Sequence, residues 1–263
     1  MRSRSRGTPL TGLLVHDFWS PRHRPAFGLW IKLPAPEVLE VLAPSGIDFV
    51  VLDGEHGALD TRSISAMIGL GRAMGLTVFV RVAGHARADI QPALDAGADG
   101  VFVPHVDSAA LAAQVVDVCR FPPAGSRSAS LATRAGGWGR MQSADYLRRG
   151  SDVIIVAQVE SPAAVEAVSE ITAVAGLDAI FVGPYDLALT SGLSPADPEF
   201  HRLVESAESA RGPAVIGSTA AGADEVRLLA ERGYSFVVVG ADTSILGAGA
   251  QSLLSEFGEG AAA

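Results

Sequence analysis

Residues 53–56 read Asp-Gly-Glu-His and follow the apolar run Phe49-Val50-Val51-Leu52. An imidazole beside carboxylates at the tip of a buried strand can move a proton near neutral pH. Polar residues end other apolar runs in the same way. Arg81 follows Val78-Phe79-Val80, Gln158 and Glu160 follow Val153–Ala157, and Asp186 follows Ile180-Phe181-Val182. His105, Asp107 and Asp242 hold similar places with weaker claims. Gln158 and Glu160 are two residues apart, so a strand points both to one side. Glu160 and Asp186 offer hard oxygen ligands, suited to Mg²⁺ or Mn²⁺, with positions left for water and substrate. Arg81 can hold a carboxylate or stabilise an enolate oxygen. Plainer roles compete with each of these. Rim carboxylates cap loops or form salt bridges, His56 can merely cap its strand, and Arg81 can pair with Asp53 or Glu55.

Those residues need a scaffold that gathers strand ends. The chain alternates short β-branched runs with Ala- and Leu-rich helical stretches, eight times over. The strands are read at 26–33, 49–56, 77–82, 100–106, 153–160, 179–186, 213–219 and 235–242. Continuous apolar runs fit a parallel sheet covered by helices, and several helices stop at glycine. Eight such units predict a (β/α)8 TIM barrel, whose catalytic groups collect at the carboxyl ends of the strands. An open doubly wound sheet is the alternative, but no Gly-rich dinucleotide turn follows an early strand. Residues 1–25 read as a flexible basic extension and 26–263 as one barrel domain.

Bulk properties narrow the function. The 263 residues are 48% hydrophobic and 19% charged, with a net charge of -9. A large core is affordable, and a nucleic-acid partner, which wants a basic surface, is not expected. No apolar stretch is long enough to span a membrane, and the N-terminal apolar piece is too short and broken for a signal peptide. The single cysteine, Cys119, excludes an internal disulfide and a Cys-rich zinc site, and reads as a buried helical thiol. A cytoplasmic location is the expectation.

Two oddities stand out. Nineteen of the 20 basic residues are arginine, so any lysine Schiff base must use Lys32. Residues 122–150 form a long Gly-, Ser- and Arg-rich segment between strands four and five, read either as a functional loop or as a surface excursion.

The set DGEH (53–56), RV (81–82), PPAGSR (122–127), QVES (158–161), GPYDL (183–187) and VGADTSIL (239–246) resembles the HpcH/HpaI aldolases, class II metal-dependent pyruvate aldolases. The likeness covers roughly residues 26–257. It implies an aldehyde-lyase that joins or splits pyruvate, or a related 2-oxo acid, and an aldehyde. It implies Glu160 and Asp186 as ligands of Mg²⁺, Mn²⁺ or Co²⁺, with Gln158 beside the metal and its water. Arg81 resembles the residue that stabilises the enolate, and His56, oriented by Asp53, the base acting through water. Backbone amides around Tyr185 and Asp186, in the substrate-binding stretch that Gly183 and Pro184 open, would receive the carboxylate, with Glu55 near the metal's water shell. Ser128 stands where the family usually has glycine after Arg127, so Ser130 and Arg134 are expected to shape an unusual aldehyde pocket. Lys32 replaces a small residue and reads as a solvated rim lysine or as a contact to the distal end of the substrate. The resemblance also implies a homo-oligomer, trimeric or hexameric. The alternative within the same chemistry is an enzyme that decarboxylates oxaloacetate to the same enolate for C–C bond formation.

Overall fold

The computed structural model describes residues 24–212 and 214–258. Residues 1–23 of the expected N-terminal extension therefore lie outside the described residues. Eight strands run β1 (Ala26–Ile31), β2 (Phe49–Asp53), β3 (Thr77–Arg81), β4 (Gly100–Val103), β5 (Ile154–Val159), β6 (Ala179–Val182), β7 (Val215–Thr219) and β8 (Phe236–Ala241). All pair in parallel with their sequence neighbours, and β8 pairs with β1 to close the barrel. The expected (β/α)8 architecture is the observed one.

The helices in chain order are α1 (Glu37–Leu42), α2 (Thr61–Ala73), α3 (Arg87–Asp95), α4 (Ala109–Cys119), α5 (Ser143–Ser151), α6 (Pro162–Glu166), α7 (Val168–Thr172), α8 (Pro184–Ser191), α9 (Pro198–Ala210), α10 (Ala223–Glu231) and α11 (Asp242–Gly258). Their starts follow local chemistry. Asp60 accepts the Ser63 N–H at 2.7 Å to cap α2, while Ser108 and Ser161 cap α4 and α6. The single helix expected after β5 is broken at Ala167 into α6 and α7.

Strand alternation sorts the barrel wall into two faces. Outward residues such as Val50, Leu52, Val78 and Val80 join the helices in one core. Inward residues form a second core of Phe49, Val51, Phe79, Phe102, Phe181 and Phe236 inside the barrel. Gly28 and Gly217 leave room for these rings, since a Cβ at either would lie 2.1 Å from a phenyl carbon of Phe49 or Phe236. The Phe102 ring lies 5.5 to 6.0 Å from those of Phe79, Trp30, Phe181 and Phe236.

Several strands stop earlier than the sequence suggested. β2 ends at Asp53 rather than 56, β4 at Val103 rather than 106, and β6 at Val182 rather than 186. The residues beyond have turned out of the ladder into the rim, and residues from Pro184 onward are already helix. The segment 122–150 is also relocated. It follows α4 and precedes β5, so it lies at the amino-terminal end of the barrel, opposite the rim.

Candidate active site

Asp53 and Arg81 are register partners on β2 and β3, and both point inward. Arg81 donates from Nε to Asp53 Oδ1 at 2.9 Å and from Nη2 to Oδ2 at 2.7 Å. Its Nη1 lies 3.3 Å from Glu55 Oε2, and its guanidinium stacks 4.4 Å from the Trp30 ring centre. Lys32 donates from Nζ to Asp53 Oδ2 at 2.7 Å. Burial alone would raise the Asp53 carboxyl. The bonds and charge of Arg81, with help from the His56 amide and Lys32, outweigh it and hold the group well below the usual carboxylate range.

The structure changes how Asp53 and His56 are related. Asp53 Oδ1 accepts the backbone N–H of Glu55 at 3.2 Å and of His56 at 3.0 Å. The carboxylate thus fixes the turn rather than the imidazole, because it is already consumed by two cations. The His56 ring sits 57% exposed at the rim, with Nε2 3.6 Å from Glu55 Oε2. Gly54 and Gly57 permit the tight turn: a Cβ would lie 2.8 Å from the Arg81 carbonyl at the first and 2.3 Å from that of Asp53 at the second.

A second group gathers at the ends of β5 and β6. Gln158 and Glu160 are buried, and the Gln158 amide donates to Glu160 Oε1. Gln158 Oε1 is buried with no hydrogen-bond partner among the described residues. His105, at a left-handed φ of 49°, gives its N–H to Glu160 Oε2 at 3.2 Å and brings Nδ1 to 3.4 Å. Burial pushes the Glu160 carboxyl up; the His105 amide and ring and the Gln158 amide oppose this, while the negative charge of Asp186 adds to it. Gly183 makes the space, because a Cβ there would lie 2.7 Å from Glu160 Oε1. Thr190 ties α8 to this strand by donating to the carbonyls of Glu160 and Asp186, both at 2.8 Å.

Among the described residues, no three or more His, Cys, Asp or Glu side chains converge to enclose a metal. The oxygen set is instead two carboxylates repelling each other beside an orphaned amide oxygen. That set fits a hard divalent cation in an open site, completed by water and substrate oxygens. The first turn of α8 adds backbone N–H groups at Tyr185 and Asp186 with no intrahelical acceptors. The Tyr185 side chain itself is 74% exposed.

Two expected residues are not brought to this rim within one chain. Arg134 lines a cavity at the amino-terminal end of the barrel, and the Ser130 N–H donates to Tyr146, which lines the same cavity. Asp107 accepts from Ser161 at 2.6 Å and braces the start of α6. Asp242 accepts the N–H groups of Lys32 and Leu33 and closes the rim between β8 and β1. Trp30, Lys32 and His105 are the rim residues that sequence reasoning under-read. Ala26, Gly28, Trp30 and Lys32 share one strand parity, a signal that points the lysine inward.

A family model described as HpcH/HpaI aldolase/citrate lyase matches residues 26–247. The chain belongs to this family. As a member of the HpcH/HpaI family, it is similar to 4-hydroxy-2-oxo-heptane-1,7-dioate aldolase of Escherichia coli, at 32% identity over 249 residues, 91% of this chain and 93% of the relative. It is also similar to the hydroxypyruvate/pyruvate aldolase of Chromohalobacter salexigens, at 33% identity over 88% of this chain and 92% of that one. A solved HpcH/HpaI aldolase/citrate lyase family protein from Burkholderia cenocepacia J2315 superposes with a TM-score of 0.86 at 30% identity, covering 92% of this chain and 98% of that one. Among the described residues, no helix of this HpcH/HpaI chain is long and apolar enough to cross a membrane.

Proposed function

We propose that this protein is a metal-dependent aldolase, making or breaking a C–C bond between the enolate of pyruvate, or a related 2-oxo acid, and an aldehyde. The observation that carries the reading is the oxygen set of buried Glu160 and Gln158 with half-buried Asp186, on the same rim as the buried Arg81 guanidinium. Glu160 and Asp186 would hold Mg²⁺ or Mn²⁺, with Gln158 Oε1 beside them. When bound, the cation supplies Lewis-acid polarisation of the keto oxygen.

The chain's own residues do the rest. The free N–H groups opening α8 receive the substrate carboxylate. In the cleavage direction His56 takes the hydroxyl proton through a water, and its exposure at the rim gives that water access. As the C–C bond breaks, its electron pair moves toward the 2-oxo acid oxygen, where Arg81 places fixed positive charge. Asp53 keeps that charge aimed through its two-pronged bond. Lys32 is ion-paired with Asp53 and serves the electrostatics rather than a Schiff base.

We extend the proposal to a cytoplasmic homo-oligomer that takes no nucleic-acid or membrane partner. From Thr243 to Ser255, α11 is exposed, including Ile245, Leu246, Leu253 and Leu254. An apolar helix left uncovered by its own barrel is suited to packing on a second copy. Light scattering coupled to gel filtration reads the stoichiometry.

The deciding experiment follows exchange of the pyruvate methyl protons in D₂O by NMR with added Mg²⁺ or Mn²⁺. Metal-dependent exchange that stops on chelation supports the reading, and exchange that persists in excess EDTA overturns it. Oxaloacetate decarboxylation outpacing aldol turnover would instead favour the decarboxylating variant.

A further inference from the structure

Beneath the barrel, remote from the rim, lies a cavity of about 350 Å³. Its walls include the first residue of β3, Thr77, the first of β5, Ile154, and Asp99, which precedes β4. Four arginines, Arg72, Arg127, Arg134 and Arg149, line it against two carboxylates, Asp99 and Asp152. Arg72 is largely spent, on the Gly97 carbonyl at 2.5 Å and on Asp99 at 3.5 Å. Arg127 is not. It is 3% exposed and lies 4.5 Å from the Phe121 ring centre, and Nη2 alone reaches a carboxylate, Asp95 at 3.3 Å. Its Nε and Nη1 are buried without a hydrogen-bond partner among the described residues, and so is Nε of Arg134.

A buried guanidinium with two unmade bonds is costly, because its N–H groups have left water without replacement. Planar N–H forks are matched by the paired oxygens of phosphate and carboxylate. Gly69 on α2 lets Arg134 lie close, since a Cβ there would come 2.5 Å from Nη1. Segment 127–150, whose length and arginines had no place at the rim, supplies three of the four arginines of this cavity.

We propose that this cavity is a binding site for a small multiply charged oxyanion, bearing phosphate or carboxylate groups, separate from the catalytic rim. The site stands whether or not the rim is an aldolase.

The test uses the full chain in EDTA, with inorganic phosphate and citrate as separate arms and sodium chloride at matched ionic strength as the reference. A saturable rise in melting temperature is expected in at least one arm, about 5 °C at a hundredfold excess over Kd. The arm with the lower Kd distinguishes a phosphate from a carboxylate ligand. The response should vanish in the double variant R134Q/R149Q and survive in Glu160→Gln, which alters only the rim. Should the double variant not fold, Arg149→Gln alone, on the exposed face of α5, should raise Kd at least threefold. No saturable response in the wild type, or a response unchanged in the arginine variants, overturns the proposal.

Discussion

Lys32 and Arg81 hold one oxygen of Asp53 from two sides, Oδ2 lying 2.7 Å from Lys32 Nζ and 2.7 Å from Arg81 Nη2. The two cations are not equivalent. Arg81 makes a two-pronged bond inside the barrel, and Lys32 adds a single bond from a side chain that is 28% exposed. Arg81→Lys keeps the charge and loses the fork. Its kcat is expected to fall about 100-fold or more, the scale of losing an oriented oxyanion donor. Lys32→Met should cost only about 1 kcal/mol in denaturant titration, the scale of a partly exposed pair.

The same contact bears on reaction class. An ammonium ion-paired with Asp53 is not a free nucleophile. Incubation with pyruvate and borohydride should leave the protein's mass unchanged, and Lys32→Met should retain pyruvate proton exchange. A mass increase lost in Lys32→Met would reveal a Schiff-base enzyme instead.

Glu160 separates metal chemistry from folding. Glu160→Gln removes the charge but preserves the size of a buried group whose carboxyl is already pushed up by burial. Thermal stability without metal should hold or rise slightly. Proton exchange should drop at least 100-fold, and the Mg²⁺-induced shift in melting temperature should disappear.

His56 stands apart from the buried groups, at the exposed edge of the rim. A base placed there serves the outer, aldehyde-derived part of the substrate. His56→Ala should therefore reduce aldol turnover about 100-fold while slowing pyruvate proton exchange much less. Equal losses in both assays would place the imidazole at the enolisation step.

Asp53 gives the fold an acid limit. Its folded carboxyl is held well below the unfolded value of about 4. A depressed folded value stabilises fully above the unfolded one, and that stability drains away as pH falls through the folded one. Urea titrations from pH 6 down to 3 should show wild-type stability falling below about pH 4. Asp53→Asn, less stable at pH 6, should show a shallower fall.

The barrel was legible because eight apolar runs alternate with glycine-stopped helices, and few folds use that rhythm. The rim was legible in its members but not in its bonds. Asp53 and Arg81 could be named from their places after apolar runs, yet only the β2–β3 register makes them partners. That partnership is what removes Asp53 from the His56 ring. Lys32 was read at the rim, as a solvated lysine or a contact to substrate, but its bond to Asp53 was not foreseen, although its parity with Trp30 turns it inward. His105 gave no comparable signal, since a left-handed backbone turn leaves no mark in residue type here. Ser130 and Arg134, expected in the aldehyde pocket, lie away from the rim for a topological reason. A loop that follows a helix and precedes a strand returns to the amino-terminal side of a barrel, whatever its composition suggests.

The phenylalanine rings inside the barrel have a further consequence. Phe49, Phe79, Phe102, Phe181 and Phe236 fill the bore between the rim and the arginine-lined cavity. They act as a septum, separating two aqueous compartments at opposite ends of one fold. A ligand below would touch the feet of β3 and β5, so any influence on chemistry above would pass through those strands or through the ligand's electric field.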